Sequence, residues 1–284
     1  MRTRRVLSDV ATAALLATVL AAAAINVHAL RDDLDSPRTV VVPVPTTSTP
    51  TPPFDVASLP VPAPDQVLPL PVTDARMNDV RGIARPRTDA LTPAWAGPDA
   101  SVPPVVALEP TTLGQPAAWL VVEERPDWTR VLVPLGRGAL PSQNQTAVNR
   151  RAVWVRASAV TVEPVVTKVL VERGAQTVTV SSPSATVHLP AAVGKHGSTP
   201  TPAGLGQVVA HADTPHGVAA LTSFQSEALD AFDGAPPVIA FHADPEGGAA
   251  IRRPGGASNG CVRLLAADVP VLLALPLGTP VWIV

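Results

Sequence analysis

One cysteine, Cys261, sits in the run Ser258-Asn259-Gly260-Cys261-Val262-Arg263. A core cysteine belongs to an apolar run, whereas this one lies in a polar turn where a thiol can act as a nucleophile. Gly260 allows backbone N–H groups to approach a ligand closely, so the amides of Asn259, Gly260 and Cys261 form a candidate oxyanion hole. A thiol of ordinary pKa, about 8.5, is only a few per cent ionised at neutral pH, so nucleophilic use calls for a base. His242 is the candidate. It closes the apolar run Val238-Ile239-Ala240-Phe241, and the 15 residues between it and Ser258 include Gly247, Gly248, Gly255 and Gly256. A strand end followed by a glycine-rich loop can bring the two side chains together.

Other chemistry is poorly supplied. A lone cysteine excludes an intrachain disulfide framework and any zinc site built on several thiolates. His188, His196, His211 and His216 show no metal-ligand spacing and no accompanying carboxylates, so neither a metal nor another cofactor is expected. Glu123, Glu124 and Asp127 cluster beside Trp128, but nothing locates a second carboxylate across a cleft, and solvated surface is the expectation. Arg252 and Arg253 are read as solvated loop charges, and Ser258 as a turn residue bonded to the backbone. The formal charge is −2, with no long run of Lys or Arg, which argues against nucleic acid as a partner.

The 284 residues include 34 prolines and 18 glycines. Arg2, Arg4 and Arg5 precede an uncharged stretch from Val10 to Leu30, followed by Arg31, Asp32, Asp33 and Asp35. Such a stretch, at about 1.5 Å per residue, reaches roughly 30 Å, the thickness of a bilayer core. Residues 1–36 are therefore expected to be a cytoplasmic tip with a membrane anchor, or a cleaved signal peptide, and both export the rest. Residues 37–75 are expected to be a disordered proline-rich linker, because 11 prolines fall between Pro37 and Pro71 with almost no charge. Residues 76–162 hold the linker's remainder and a small all-β, SH3-like module, from the runs Ala118–Val122, Thr129–Val133 and Ala152–Val155. Trp119, Trp128 and Trp154 lie on or beside those runs as core residues, the alternative being a sugar-stacking platform. Residues 163–284 read as a second β domain. Val166–Val171 and Gln176–Val180 form a hairpin about Glu172-Arg173-Gly174-Ala175, Ser226–Phe232 is expected to make a short helical turn, Asp268 to cap a helix running to Ala274, and Pro280–Val284 to be a closing strand.

His242 with the Ser258-to-Arg263 run resembles the motif of L,D-transpeptidases, the cysteine enzymes that cross-link peptidoglycan. Pro200-Thr201-Pro202 with Gly204, and Gly278-Thr279-Pro280-Val281, resemble further segments of that family in the same order. The resemblance covers residues 163–284 and implies a mainly β, β-sandwich-like catalytic domain with few short helices. It implies Cys261 as nucleophile, His242 as base oriented by the Ala243 carbonyl, and amides of Asn259, Gly260 and Cys261 as oxyanion donors. Arg263 would order the loop or meet a substrate carboxylate, beside Ser258. Asn259 stands where the family usually has histidine, and Ala243 where it usually has Gly or Ser. The implied partners are peptidoglycan stem peptides and carbapenem β-lactams, and the implied reaction forms 3-3 cross-links with release of D-Ala. Water as acceptor would make an L,D-carboxypeptidase. A catalytically silent wall-binding protein of the same fold is the other reading, while the Ser258-Asn259-Gly260 turn speaks against a sortase.

Overall fold

The structure is a computed structural model that describes residues 54–215 and 217–284. The expected membrane segment, residues 37–53 of the proline-rich linker and His216 lie outside the described residues. Among the described residues no helix is long and apolar enough to cross a membrane.

The described chain is mainly β. The first half carries β1 (Gly82–Pro86), β2 (Thr92–Ala94), β3 (Val106–Leu108), β4 (Thr111–Thr112), β5 (Gln115–Pro116), β6 (Trp119–Arg125), β7 (Trp128–Leu132), a helical turn α1 (Pro141–Asn144), β8 (Ala152–Arg156) and β9 (Val160–Glu163). Five of these strands form one sheet in the order β8-β7-β6-β1-β9. Alternate residues of its strands turn inward: Ala84, Trp119, Val121, Val131, Val153 and Val155 share one buried cluster. Trp95, Trp128 and Trp154 pack together, and the guanidinium groups of Arg156 and Arg125 lie 4.1 and 4.8 Å from the Trp128 and Trp154 ring centres. The tryptophans are thus core residues with arginines stacked on them, not an open platform.

One expectation for the linker changes. Residues 54–75 are not a spacer but run along the module, with Leu68 and Leu70 buried in its core. The Leu68 amide donates to Arg137 O, Thr73 N to Arg150 O and Ala152 N to the Pro71 carbonyl. Proline holds this stretch extended, and an extended chain presents apolar side chains to the core and backbone groups to the neighbouring edge.

The second half is a barrel: β10 (Lys168–Glu172), β11 (Thr177–Ser181), β12 (Thr186–Ala192), β13 (Gly204–Thr214), β14 (Gly217–Gln225), β15 (Val238–Ala243), β16 (Val262–Leu264), α2 (Val269–Leu273) and β17 (Pro280–Ile283). The strands close in the order β10-β11-β12-β16-β15-β14-β13-β17, so the expected sandwich-like sheets join at both edges. The alternation legible in β10 and β11 fills the interior: Val169, Val171, Val178 and Val180 meet Phe224, Phe241, Leu264 and Ile283. A Cβ on Gly206 would fall 2.3 Å from the Phe224 ring, so this glycine makes room for one of the two interior phenylalanines. Two local expectations fail. Ser226–Phe232 forms no helix, because the module draws Gln225, Glu227 and Asp230 out toward itself. Asp268 precedes α2 without a side-chain capping bond.

Candidate active site

β15 and β16 lie side by side and parallel, with Phe241 opposite Val262, His242 opposite Arg263 and Ala243 opposite Leu264. Phe241, Val262 and Leu264 belong to the barrel interior. By the two-residue period of a strand, His242 and Arg263 share the opposite face, and Cys261, two residues before Arg263, falls on that side. The pairing therefore places the two residues that the sequence singled out on one face of adjacent strands.

His242 is buried, and its Nδ1 lies 2.7 Å from the carbonyl oxygen of Ala243. A carbonyl only accepts, so Nδ1 carries the proton and the lone pair of the neutral ring is on Nε2. Cys261 is a free cysteine, half-buried as a residue, with Sγ 3.8 Å from the Val238 carbonyl, to which it can donate. Burial of the sulfur pushes its pKa up, while the Ala240 amide and the charge of Arg263 pull it down less strongly. The net direction favours the protonated thiol, so nucleophilic use of Cys261 calls for a base.

The loop between the two strands is held by side chains bonded to its backbone. Asp244, buried at the end of β15, accepts from the amides of Gly248 at 3.0 Å, Ala250 at 2.9 Å and Glu246 at 3.3 Å, with Arg263 Nη1 3.5 Å away. Burial pushes the Asp244 carboxyl up, but those amides and Arg263 together outweigh it and hold the pKa below the usual carboxylate value. Arg263 also meets Glu246 Oε1 at 3.2 Å. Of the roles open to Arg263, its partners favour ordering the loop.

Ser258 is buried, and its Oγ donates to the Cys261 carbonyl at 2.5 Å while accepting from the Gly260 amide at 3.1 Å. It is a turn residue with its hydroxyl engaged inside the loop, which does not leave it facing a substrate. The Gly260 amide is engaged with it, so the expected set of three oxyanion donors narrows to the amides of Asn259 and Cys261. Gly260 itself has φ +122°, and a Cβ there would fall 2.7 Å from Ile239 Cδ1. Asn259 points outward, its Oδ1 3.4 Å from Lys195 Nζ. Thr201, fully buried, donates to the Gly260 carbonyl at 2.7 Å and accepts from the Gly194 amide at 2.9 Å, tying the nucleophile loop to the barrel.

Sequence reasoning missed Asp244 and gave Thr201 no role. The local signal for Asp244 was present: an Asp just ahead of Pro245-Glu246-Gly247 is placed to bond the amides of the turn that follows. A cavity of about 520 Å³ lies behind the loop, walled by Arg173, Gln176, Gly194, His196, Thr201 and Gly256. Neither Cys261 nor His242 lines it. Among the described residues no group of three or more His, Cys, Asp and Glu is placed to hold a metal ion.

The fold is a closed β barrel with Cys261 and the carbonyl-oriented His242 on adjacent strand ends. Residues 167–283 match the family model of the YkuD L,D-transpeptidase catalytic domain, which bears out the family resemblance read from the sequence. No curated protein matches the chain. Among solved structures it is similar to an L,D-transpeptidase from Mycobacterium smegmatis, at 18% identity over 80% of this chain and 94% of that one, with a TM-score of 0.36. It is similar to L,D-transpeptidase 3 from Mycobacterium tuberculosis, at 14% identity over 56% and 92%, TM-score 0.35. It is also similar to an L,D-transpeptidase (Yku) from Stackebrandtia nassauensis, at 20% identity over 42% and 55%, TM-score 0.32. The chain thus spans about half the length of that last protein.

Proposed function

We propose that this protein is an exported peptidoglycan L,D-transpeptidase that forms 3-3 cross-links through a thioester on Cys261. The observation that carries the proposal is the 2.7 Å contact of His242 Nδ1 with Ala243 O, on the strand paired with the one that follows Cys261. It fixes the tautomer a general base needs, with a backbone carbonyl in the place that a carboxylate takes in a Ser-His-Asp triad.

Nε2 of His242 takes the thiol proton as Cys261 attacks the carbonyl between the third stem residue, the L-centre of a diamino acid, and the terminal D-Ala. The carbonyl π electrons move to oxygen, and the amides of Asn259 and Cys261 donate to that oxyanion. On collapse the C–N bond breaks, the imidazolium gives its proton to the departing D-Ala amine, and the acyl group remains on sulfur. A side-chain amine of a second stem then attacks the thioester and passes its proton to His242, the C–S bond breaks as the new amide forms, and the imidazolium returns that proton to the Cys261 sulfur. Asp244 and Thr201 act by holding the loop, and Arg263 holds it as well while its charge favours the Cys261 thiolate.

Incubating the protein with a disaccharide tetrapeptide and following products by mass tests this. Free D-Ala and a dimer joined between third residues are expected, whereas release of D-Ala with only a shortened monomer would assign an L,D-carboxypeptidase. A folded protein that yields neither product would leave the silent wall-binding reading.

A further inference from the structure

β14 and β15 meet at their ends, where Gln225 is the partner of Val238. The Ser226 amide donates to the Pro237 carbonyl at 2.9 Å, so the N–H and C=O of Gln225 point away from β15. On that other side β14 has already left β13, whose pairing with it stops at Thr222. The vacant partner position is filled by a side chain from the module. Asn149, only 1% exposed, donates from Nδ2 to the Gln225 carbonyl at 2.8 Å and accepts from the Gln225 amide on Oδ1 at 2.8 Å. A carboxamide carries the same donor and acceptor as a peptide group, so Asn149 acts as one residue of an added strand. Its Nδ2 also reaches Glu227 Oε1 at 3.0 Å, and Gln225 Nε2 donates to the Pro64 carbonyl at 2.7 Å. Across the ladder, the Val238 carbonyl is the one 3.8 Å from the Cys261 sulfur.

We propose that Asn149 is a positioning residue for the Cys261 thiol: it fixes the end of β14, and through the Gln225–Val238 pair it fixes the carbonyl against which the sulfur rests. The module is thereby part of the apparatus that sets the nucleophile, not only a spacer ahead of it. The consequence for turnover rests on Cys261 being the reacting group, as proposed above. The readout does not, because alkylation of the thiol needs no acyl transfer.

The chain has one cysteine, so iodoacetamide labelling of the full-length protein reports this thiol alone. Rates are measured against pH for the parent, Asn149→Ala, Asn149→Ser and Ser142→Ala, each checked for folding by circular dichroism. Ser142 donates from its amide and hydroxyl to Asp230 across the same seam, at 3.0 and 2.6 Å, without touching Gln225. His242, Asp244, Glu246, Arg263 and Lys195 are the titratable and charged groups around the nucleophile loop, and with Glu227 beside Asn149 they are unchanged in every variant. A thiol donating to a carbonyl is held protonated, so loosening Val238 is expected to move the midpoint of the Asn149→Ala profile down by about half a pH unit or more. Asn149→Ser, with one neutral hydroxyl in place of two groups, should shift it the same way by less, and Ser142→Ala should leave it in place. A parent-like midpoint in Asn149→Ala, or an equal shift in Ser142→Ala, overturns the proposal. If Asn149→Ala does not fold, the same comparison is made with Asn149→Ser. A parent that labels normally but transfers no acyl group would overturn the proposed function while leaving the Asn149 result readable.

Discussion

At the scale of single residues, the proposed site divides into groups expected to meet the substrate and groups that hold them. His242→Ala should lower kcat by roughly 100-fold or more, the usual worth of a general base, with the thermal melt little changed. A loss within a few-fold in steady-state kinetics would mean that another group takes the proton. Asp244 makes a different prediction. Its pKa is held below the ordinary value, so it binds fewer protons folded than unfolded over the acid range. Its contribution to stability is complete above the ordinary carboxylate pKa and is lost as the pH falls through the lowered one. Melts of the parent and Asp244→Asn should therefore differ at neutral pH and converge toward strong acid, and a pH-independent gap would contradict this. Cys261, His242 and the Ser258–Arg263 turn were legible in the sequence because each carries its chemistry in its residue type and immediate neighbours. Asn149 was not, because its bonds to Gln225 span 76 positions and leave no trace in local pattern.

At the scale of elements, alternation in β10 and β11 and the turn at Glu172–Ala175 were readable because a strand with one buried face repeats every two residues. Ser226–Phe232 was misread as helical for the converse reason: its geometry is set by what its polar groups meet on the module, not by its own propensities. The same dependence on context governs Gly260. Any side chain there is strained at φ +122° and presses on Ile239. Gly260→Ala is expected to cost about 1–3 kcal/mol in chemical denaturation and to reduce thiol reactivity. An unperturbed, fully reactive variant would show that the loop tolerates a different path.

At the scale of the whole molecule, proline content alone pointed to a linker through residue 75, yet Leu68 and Leu70 are buried. Composition describes what a segment can do alone and is silent about what it meets. We propose that the folded unit begins near Phe54. A chain starting there should melt cooperatively, whereas one starting at residue 76 should lose several kcal/mol, since each buried leucine contributes about 1.5–3 kcal/mol. Equal melting points would return residues 54–75 to the linker. Export through residues 1–36 is tested by fractionation of the producing cells, where the envelope is the expected location and a wholly cytosolic protein would contradict it.

The central claim is that Cys261 forms an acyl-enzyme, and intact-mass spectrometry of the protein mixed with a carbapenem tests it most directly. The account predicts one added adduct mass, mapped to Cys261 by peptide digestion and absent from Cys261→Ala. A folded parent protein that remains at its unmodified mass, or an adduct that persists in Cys261→Ala, would contradict it.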